Sequence, residues 1–548
     1  MSKLYRVNDT NGYTVRAKDG MEIALFHAKL CSINIKHIGN RIIRYYDIEF
    51  YCLEKVAHST IEHEKLSTFD YSFLHPKLIL NPAVTKAGKD MACSILEQAE
   101  ECKVNEYWEP DHLGWNCTDS SHYYCAGDTI IGCGNTSKIS LPTQLSKMYH
   151  LKIDKNMSES DAIDKILNLI QIRTAITSVF FTVGMVGVLR QIIIEAGVPI
   201  KTVVYVKGAT QTQKTTTVKL TTSLYERDNL ANESGICSIR VSSSKPYIES
   251  MMETLKDATL LIDDLYSTTD TKERKEQERL VYRVIRDIGD NAPRATLRGS
   301  SPINCQVILT SEYLIPGENT DIGRMFIIDV EKPLANPRLT ECQETPLALS
   351  TFYYYFIAWI CKSYEQIVEN MRASFDSFRV TEYQMNSKYK RLYEFAFVIH
   401  FVFDIFSKYV EETISYDMKK NRMFFSENLK LLINKQISYM TSLEEQKNAC
   451  SNLSVAVLSL LNKNLITLGK EGEKCYQRKN CIYISAEYLA NILSDNYNHI
   501  FTSHSVTAYF RSKNFSGFYD NGTAKKKGGK RYLTLKFTEL EADAQKLK

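Results

Sequence analysis

The chain has 548 residues, long enough for several domains, each with its own core. Its 44% hydrophobic and 24% charged residues are those expected of an ordinary soluble globular protein. A formal net charge of only +4 excludes partner assignment from bulk charge, so any nucleic-acid signal must lie in local clusters. The 14 cysteines form no C-x-x-C pair and no disulfide-like framework, and the start carries no signal-peptide pattern; a reducing, cytoplasmic setting is the expectation.

Residues 1 to about 110 read as a β-rich domain ending in a helix. "SINIKHIGNRIIRYYDIEFYCLE" sets β-branched and aromatic runs around a His-Ile-Gly-Asn turn, which predicts a hairpin, and Met91–Cys102 has helical character. A second β segment follows in "HLGWNCTDSSHYYCAGDTIIG", residues 112–132. Cys117, Cys125 and Cys133, with His112 and His122 nearby, fall at spacings that match no usual zinc site, so reduced thiols in strands are expected. From Ser158 the pattern turns helical, with Ile163, Ile166, Leu167 and Ile170 on one face. The apolar runs Thr174–Leu189 and Leu347–Cys361 are both shorter than the roughly 18 residues of a spanning helix, so buried core helices and no membrane contact are predicted.

Residues 200–335 alternate strand and helix, the pattern of a layered α/β sheet. After the apolar "TVVYV" comes Gly208-Ala209-Thr210-Gln211-Thr212-Gln213-Lys214-Thr215-Thr216, one residue away from the phosphate-binding pattern G-x-x-x-x-G-K-[ST]. In such a loop the backbone N–H groups and the following helix N-terminus surround phosphates, the lysine reaches the β- and γ-phosphates, and the threonine holds magnesium. Gln213 replaces the second glycine. Further on, "ATLLIDDLYS" ends a strand in Asp263 and Asp264, a pair suited to holding the metal and orienting an attacking water. "QVILTSE" then puts Thr310 and Ser311 at a strand end, where a polar group can sense the γ-phosphate. Arg324, in "DIGRMF", is placed to act as an arginine finger toward a neighbouring subunit. The joint order is that of an AAA+-type ATPase.

Between the Asp pair and Thr310 lies "DNAPRATLRGSSPINC", whose Arg294 and Arg298 read either as a hairpin gripping a phosphate backbone or as an exposed loop. Residues 345–465 are almost wholly helical and aromatic-rich. The tail, about 480–537, orders a short strand, helix Ala486–Leu493, a helix about 503–513, and a hairpin. Its Gly-rich tip carries Lys525, Lys526, Lys527, Lys530 and Arg531. Helix, helix, basic hairpin is the order of a winged helix, and the basic tip suits phosphate contact.

On "LGWNCTDSSHYYCAGDTIIG", "GATQTQKTTT", "LLIDDL" and "VILTSEYLIPGENTDIGRMFIIDV", the chain resembles the MCM-like, self-loading AAA+ helicases of mobile elements such as the staphylococcal cassette chromosomes, relatives of domain of unknown function 927. The resemblance covers roughly residues 105–335 and the winged-helix tail. It implies an ATP- and Mg2+-dependent DNA helicase, assembled as a homo-hexamer on single- and double-stranded DNA during replication of a mobile element. It also implies roles for Lys214 and Thr215 with ATP and magnesium, for Asp263 and Asp264 with metal and water, for Thr310 or Ser311 as sensor, and for Arg324 as finger. The expected fold class is a multidomain α/β protein: a β-rich N-terminal domain (1–110), an AAA+-type P-loop ATPase domain with its lead-in (111–340), a helical region (341–470) and a C-terminal winged-helix DNA-binding domain (471–548). Two other functions remain open at this point. One is a DNA-binding replication initiator that uses nucleotide for assembly, favoured by Gln213. The other is a signalling ATPase whose last domain docks proteins.

Overall fold

The computed structural model describes residues 4–39, 41–118, 121–132, 138–141, 145–225, 237–266, 268, 270–290, 303–315, 319–385, 387–471, 473–497, 501–513, 515–516, 526–527 and 530–545. They divide into two compact units, Met1–Leu314 with Ile328–Leu429, and Ile315–Ile327 with Lys430–Lys548.

The first unit begins with a small antiparallel sheet of β1 (Tyr5–Val7), β2 (Thr14–Arg16) and β3 (Glu22–Ala24). A larger sheet follows, made of β4 (His27–Ile38), β5 (Arg41–Cys52), β6 (Glu54–Glu62) and β7 (Lys103–Glu109), in the order β6-β5-β4-β7. The predicted hairpin is β4–β5, closed where Ile38 faces Arg41. Gly39 in its turn has φ +53°, and a Cβ there would lie 2.5 Å from the Asp111 carboxylate, so a side chain is excluded twice over.

Two expectations fail here. The helix spans Ala87–Leu96 rather than Met91–Cys102, and the domain ends in a strand, because "KVNEYWE" forms β7 and pairs in parallel with β4. Parallel pairing joins residues some seventy apart in sequence, such as Ser32 and Lys103, so no local periodicity announces it. The helix packs its Met91 and Ile95 against Phe26, Phe50 and Tyr71 to fill the core.

Next, β8 (Gly114–Cys117), β9 (His122–Cys125) and β10 (Ile130–Gly132) make a three-stranded antiparallel sheet. Helix Glu159–Ile170 starts at a capping box in which Ser158 and Asp161 bond each other's backbone N–H. Helix Thr174–Val188 is buried on every face from Ile176 onward. That burial explains its unbroken apolar run, and among the described residues no helix is long and apolar enough to cross a membrane. Behind it lie helices Ala348–Met385 and Lys390–Ile414, with Phe181, Phe352 and Phe406 meeting edge to face.

The centre of this unit is a sheet of β11 (Val203–Lys207), β12 (Ser238–Arg240), β13 (Thr259–Leu265) and β14 (Gln306–Ser311), in the order β12-β13-β14-β11 and parallel at each of these pairings, with the end of β15 (Met325–Asp329) next to β11. Ile328 and Asp329 of β15 belong to the first unit. β11 and β14 are almost fully buried, as parallel strands covered on both faces must be.

The second unit holds helix Leu453–Asn462, β16 (Cys475–Arg478), β17 (Cys481–Ile484), helices Ala486–Asn496 and Ser503–Ser512, β18 (Lys526–Lys527), β19 (Lys530–Arg531), β20 (Leu533–Lys536) and helix Phe537–Gln545. β16, β17 and β20 form one sheet, and β18 pairs with β19. Its core gathers Leu460, Ile482, Leu489, Leu493, Phe510 and Leu535. Asp543, on the last helix, accepts hydrogen bonds from Ser454 and Tyr509, both at 2.8 Å. Sequence periodicity had not marked that helix.

Candidate active site

Parallel register gathers the site. Val206 pairs with Thr310, Lys207 with Ser311, and Ile262 with Leu309, so β11, β13 and β14 end together. The chain leaves β11 at Gly208, whose N–H donates to the Ser311 carbonyl at 3.1 Å; a Cβ there would meet the Val330 carbonyl at 2.6 Å, which only glycine allows. The loop then returns to start helix Lys214–Thr222, with Gln213 as its N-cap.

Gln213 adopts φ +62° and Gln211 φ +66°, both left-handed. This gives the physical reason for glycine in the motif at position 213. The glutamine side chain does not block the loop by its bulk alone; it holds a backbone conformation disfavoured by roughly 1–2 kcal/mol for a residue with a Cβ.

The Lys214 ammonium folds back over the loop and donates to the carbonyls of Gly208, at 2.7 Å, and Ala209, at 3.0 Å. Burial pulls it below its ordinary pKa, while Glu312, Asp263 and Asp264 pull the other way. Thr215 donates its hydroxyl to Asp263 Oδ1 at 2.8 Å, and Thr310 donates to the same oxygen. Asp263 is therefore fixed from two sides, by the first turn of helix Lys214–Thr222 and by the end of β14. Asp264 follows at φ +72° in a bulge, where three residues of β13 span two of β14, and the bulge turns it out to solvent.

Thr310 and Ser311 separate here. The Thr310 hydroxyl also lies 3.4 Å from the Asp264 N–H and belongs to the cluster. The Ser311 hydroxyl faces the other way, bonding the Leu265 and Tyr313 carbonyls and accepting from the Tyr313 N–H. It shapes the turn after β14.

Residues Thr210 to Thr216, Asp263, Asp264, Thr310, Ser311 and Glu312 line one cleft of about 230 Å³. Glu312 was not foreseen as a site residue; it accepts the Thr210 hydroxyl across the loop. Its position immediately after Ser311 in "LTSE" was the available signal. Asp263 and Thr215 supply hard oxygen donors, the type a magnesium ion takes, and the cleft chemistry fits that ion. Among the described residues no group of three or more His, Cys, Asp or Glu is gathered that could hold a metal ion.

Other predicted residues stand elsewhere. Arg324 belongs to the second unit, where it donates to the Thr320 carbonyl at 2.8 Å and lies 3.9 Å from Asp321. Arg294, Arg298 and Lys525 lie outside the described residues. Lys526 and Lys527 pair through the backbone with Arg531 and Lys530, closing the predicted hairpin.

A residue missed entirely is Asp257. It is fully buried at φ +52°, two residues before β13. Its carboxylate accepts the N–H of Trp115 at 3.0 Å and of Gln191 at 2.8 Å, and its carbonyl accepts the Tyr124 hydroxyl. Gly114, at φ +83°, is required beside it, since a Cβ would meet Asp257 Oδ2 at 2.3 Å.

No protein-family model and no curated protein matches the sequence. Among solved structures, the chain is similar over 100% of its length to 99% of the chain described as "SCCmec type IV Cch - active helicase", with a TM-score of 0.52 and 13% identity. The two share a fold. A second likeness, to "The X-ray structure of JCV Helicase", covers 40% of this chain and 69% of that one, with a TM-score of 0.22 and 12% identity.

Proposed function

We propose that the chain is an ATP-dependent DNA helicase or translocase acting in replication of a mobile genetic element. The carrying observation is the convergence of Lys214, Thr215, Asp263 and Thr310 on one cleft at the ends of β11, β13 and β14. The fold shared with a helicase of known structure supports the same reading.

In this reading residues 111–340 form an AAA+-type P-loop ATPase domain, 1–110 and 341–470 flank it, and 471–548 form a winged helix whose basic hairpin meets DNA. The loop from Gly208 to Gln213 cradles the phosphates of ATP with its N–H groups and the N-terminus of helix Lys214–Thr222. Lys214 releases the Gly208 and Ala209 carbonyls and turns to the β- and γ-phosphates. Thr215 and Asp263 would hold magnesium, which would supply neutralisation of the phosphate charge. Asp264, exposed and turned outward by the bulge, orients the attacking water. Thr310 holds Asp263 in place and reports on the γ-phosphate. Arg324 reaches a neighbour's nucleotide in a homo-hexamer, and Arg294 and Arg298 grip single-stranded DNA in its channel.

The test is displacement of a labelled strand from a forked duplex by the purified chain, with ATP and magnesium. ATP-dependent displacement supports the motor. One observation favours a second reading: Gln213 holds the loop in a strained conformation. A replication initiator that binds DNA and uses nucleotide to assemble would bind the fork and displace nothing.

A further inference from the structure

A second cavity, of about 350 Å³, shares no lining residue with the nucleotide cleft. We infer that it binds one nucleobase, stacked between aromatic walls with its sugar and phosphate outside. For the source of that base, a single DNA strand, the inference rests on the motor reading above.

The walls come from two separate pairings. His37 on β4 and Trp108 on β7 are ladder partners, and their rings stack at 5.0 Å and 11°. His122 on β9 and Tyr364 on helix Ala348–Met385 stack at 3.8 Å and 7°. Flat walls of this kind take flat ligands, and base–aromatic stacking tolerates any base. The volume falls in the range of small-ligand sites, which begin near roughly 300 Å³.

The edges carry the complementary chemistry. Lys256 enters beside His112, with Nζ 2.8 Å from its Nε2, and offers donors. Glu195 accepts from Tyr364 at 3.0 Å and from Gln191 at 2.7 Å, so an acceptor and an amide stand together. His37 Nε2 is buried and has no hydrogen-bond partner among the described residues, so the ring meets an occupant as an apolar wall. A heterocycle with mixed donors and acceptors satisfies this set.

Charge keeps phosphate out. Three carboxylates, Glu109, Asp111 and Glu195, line the cavity against the single lysine Lys256 among its described lining residues. The same lysine opposes a planar cation such as guanidinium. Lys256 also immediately precedes Asp257, so an occupant leans on the entry to β13, the strand that carries Asp263 and Asp264.

The test is calorimetric titration of the full chain with adenosine, thymidine and arginine amide, then with an oligo-dT and its abasic counterpart. Trp108→Leu and the exposed-site variant Glu195→Gln are titrated beside the wild type. Expected are nucleoside binding that weakens about tenfold in Trp108→Leu, and an intact-over-abasic preference in the wild type that this variant loses. Glu195→Gln, which leaves the walls intact, should change the ranking of adenosine against thymidine. Absence of nucleoside binding, wild-type behaviour in both variants, or binding of arginine amide alone overturns the inference. DNA-stimulated ATP hydrolysis on the same preparations keeps the two readings apart. Hydrolysis without base binding removes only the pocket; base binding without hydrolysis removes only the motor.

Discussion

The Asp257 carboxylate accepts the Trp115 backbone N–H at 3.0 Å, tying β8 to the start of β13, the strand that carries Asp263. The same carboxylate holds the N–H of Gln191, after helix Thr174–Val188. One buried acid thus joins three segments, and burial pushes its carboxyl up to about 7.

Asp257→Asn should therefore destabilise the chain by about 2 kcal/mol, because the new amide sets a donor against one of two backbone donors. Thermal unfolding reads this directly. The pH dependence has a fixed sign. The folded state keeps this proton to about pH 7, while the unfolded carboxyl loses it near 3.8, so folding binds a proton between those values. The contribution is full below the unfolded value and fades as pH rises toward 7. Subtracting the Asp257→Asn profile from the wild type should expose that falling slope, and a rising difference would be inconsistent with it.

Gln213→Gly removes a Cβ from a left-handed position. At an ordinary loop site glycine lowers stability through the unfolded chain's entropy. Here relief of strain offsets that loss, so the variant should melt at or above the wild-type temperature, by up to about 1 kcal/mol of stability. Gln213→Val should melt lower, since a β-branched residue tolerates that conformation worst.

Thr310 and Ser311 should separate kinetically. Thr310→Val leaves Asp263 without one of its two hydroxyl donors and should lower ATP turnover about 10–100-fold with folding kept. Ser311→Ala removes turn bonds alone, costing about 1 kcal/mol of stability with little change in turnover. Equal turnover losses in the two would place both side chains at the chemistry.

Alanine at Lys526, Lys527, Lys530 and Arg531 should weaken DNA binding uniformly across sequences. It should also flatten the salt dependence by about 3–4 in the log–log slope, if all four contact phosphates. Titration against salt by fluorescence anisotropy measures both, and an unchanged slope would take the hairpin off the DNA.

Much of the candidate site was legible because its signals are local. An apolar run, a Gly-to-Lys-Thr loop and an Asp pair after a strand each declare themselves within about ten residues, and Gly208, Lys214, Thr215 and Asp263 meet as their order suggests. The hairpin around Gly39 is local in the same sense. Asp257 was not legible, since its partners lie 142 and 66 residues away and nothing marks a lone acid before a strand as a hub. β7 escaped for the same reason. The distinction between Thr310 and Ser311 needed three dimensions, because a strand end shows two adjacent hydroxyls and the pleat sends them to opposite faces.

The most direct measurement is ATP hydrolysis by the purified chain, with and without single-stranded DNA, beside Lys214→Ala. The account predicts turnover that DNA stimulates and that falls to background in the variant, since Lys214 is the cation poised over the loop. No turnover by the wild type, or turnover that Lys214→Ala leaves unchanged, would contradict an ATP-driven motor built on this cleft.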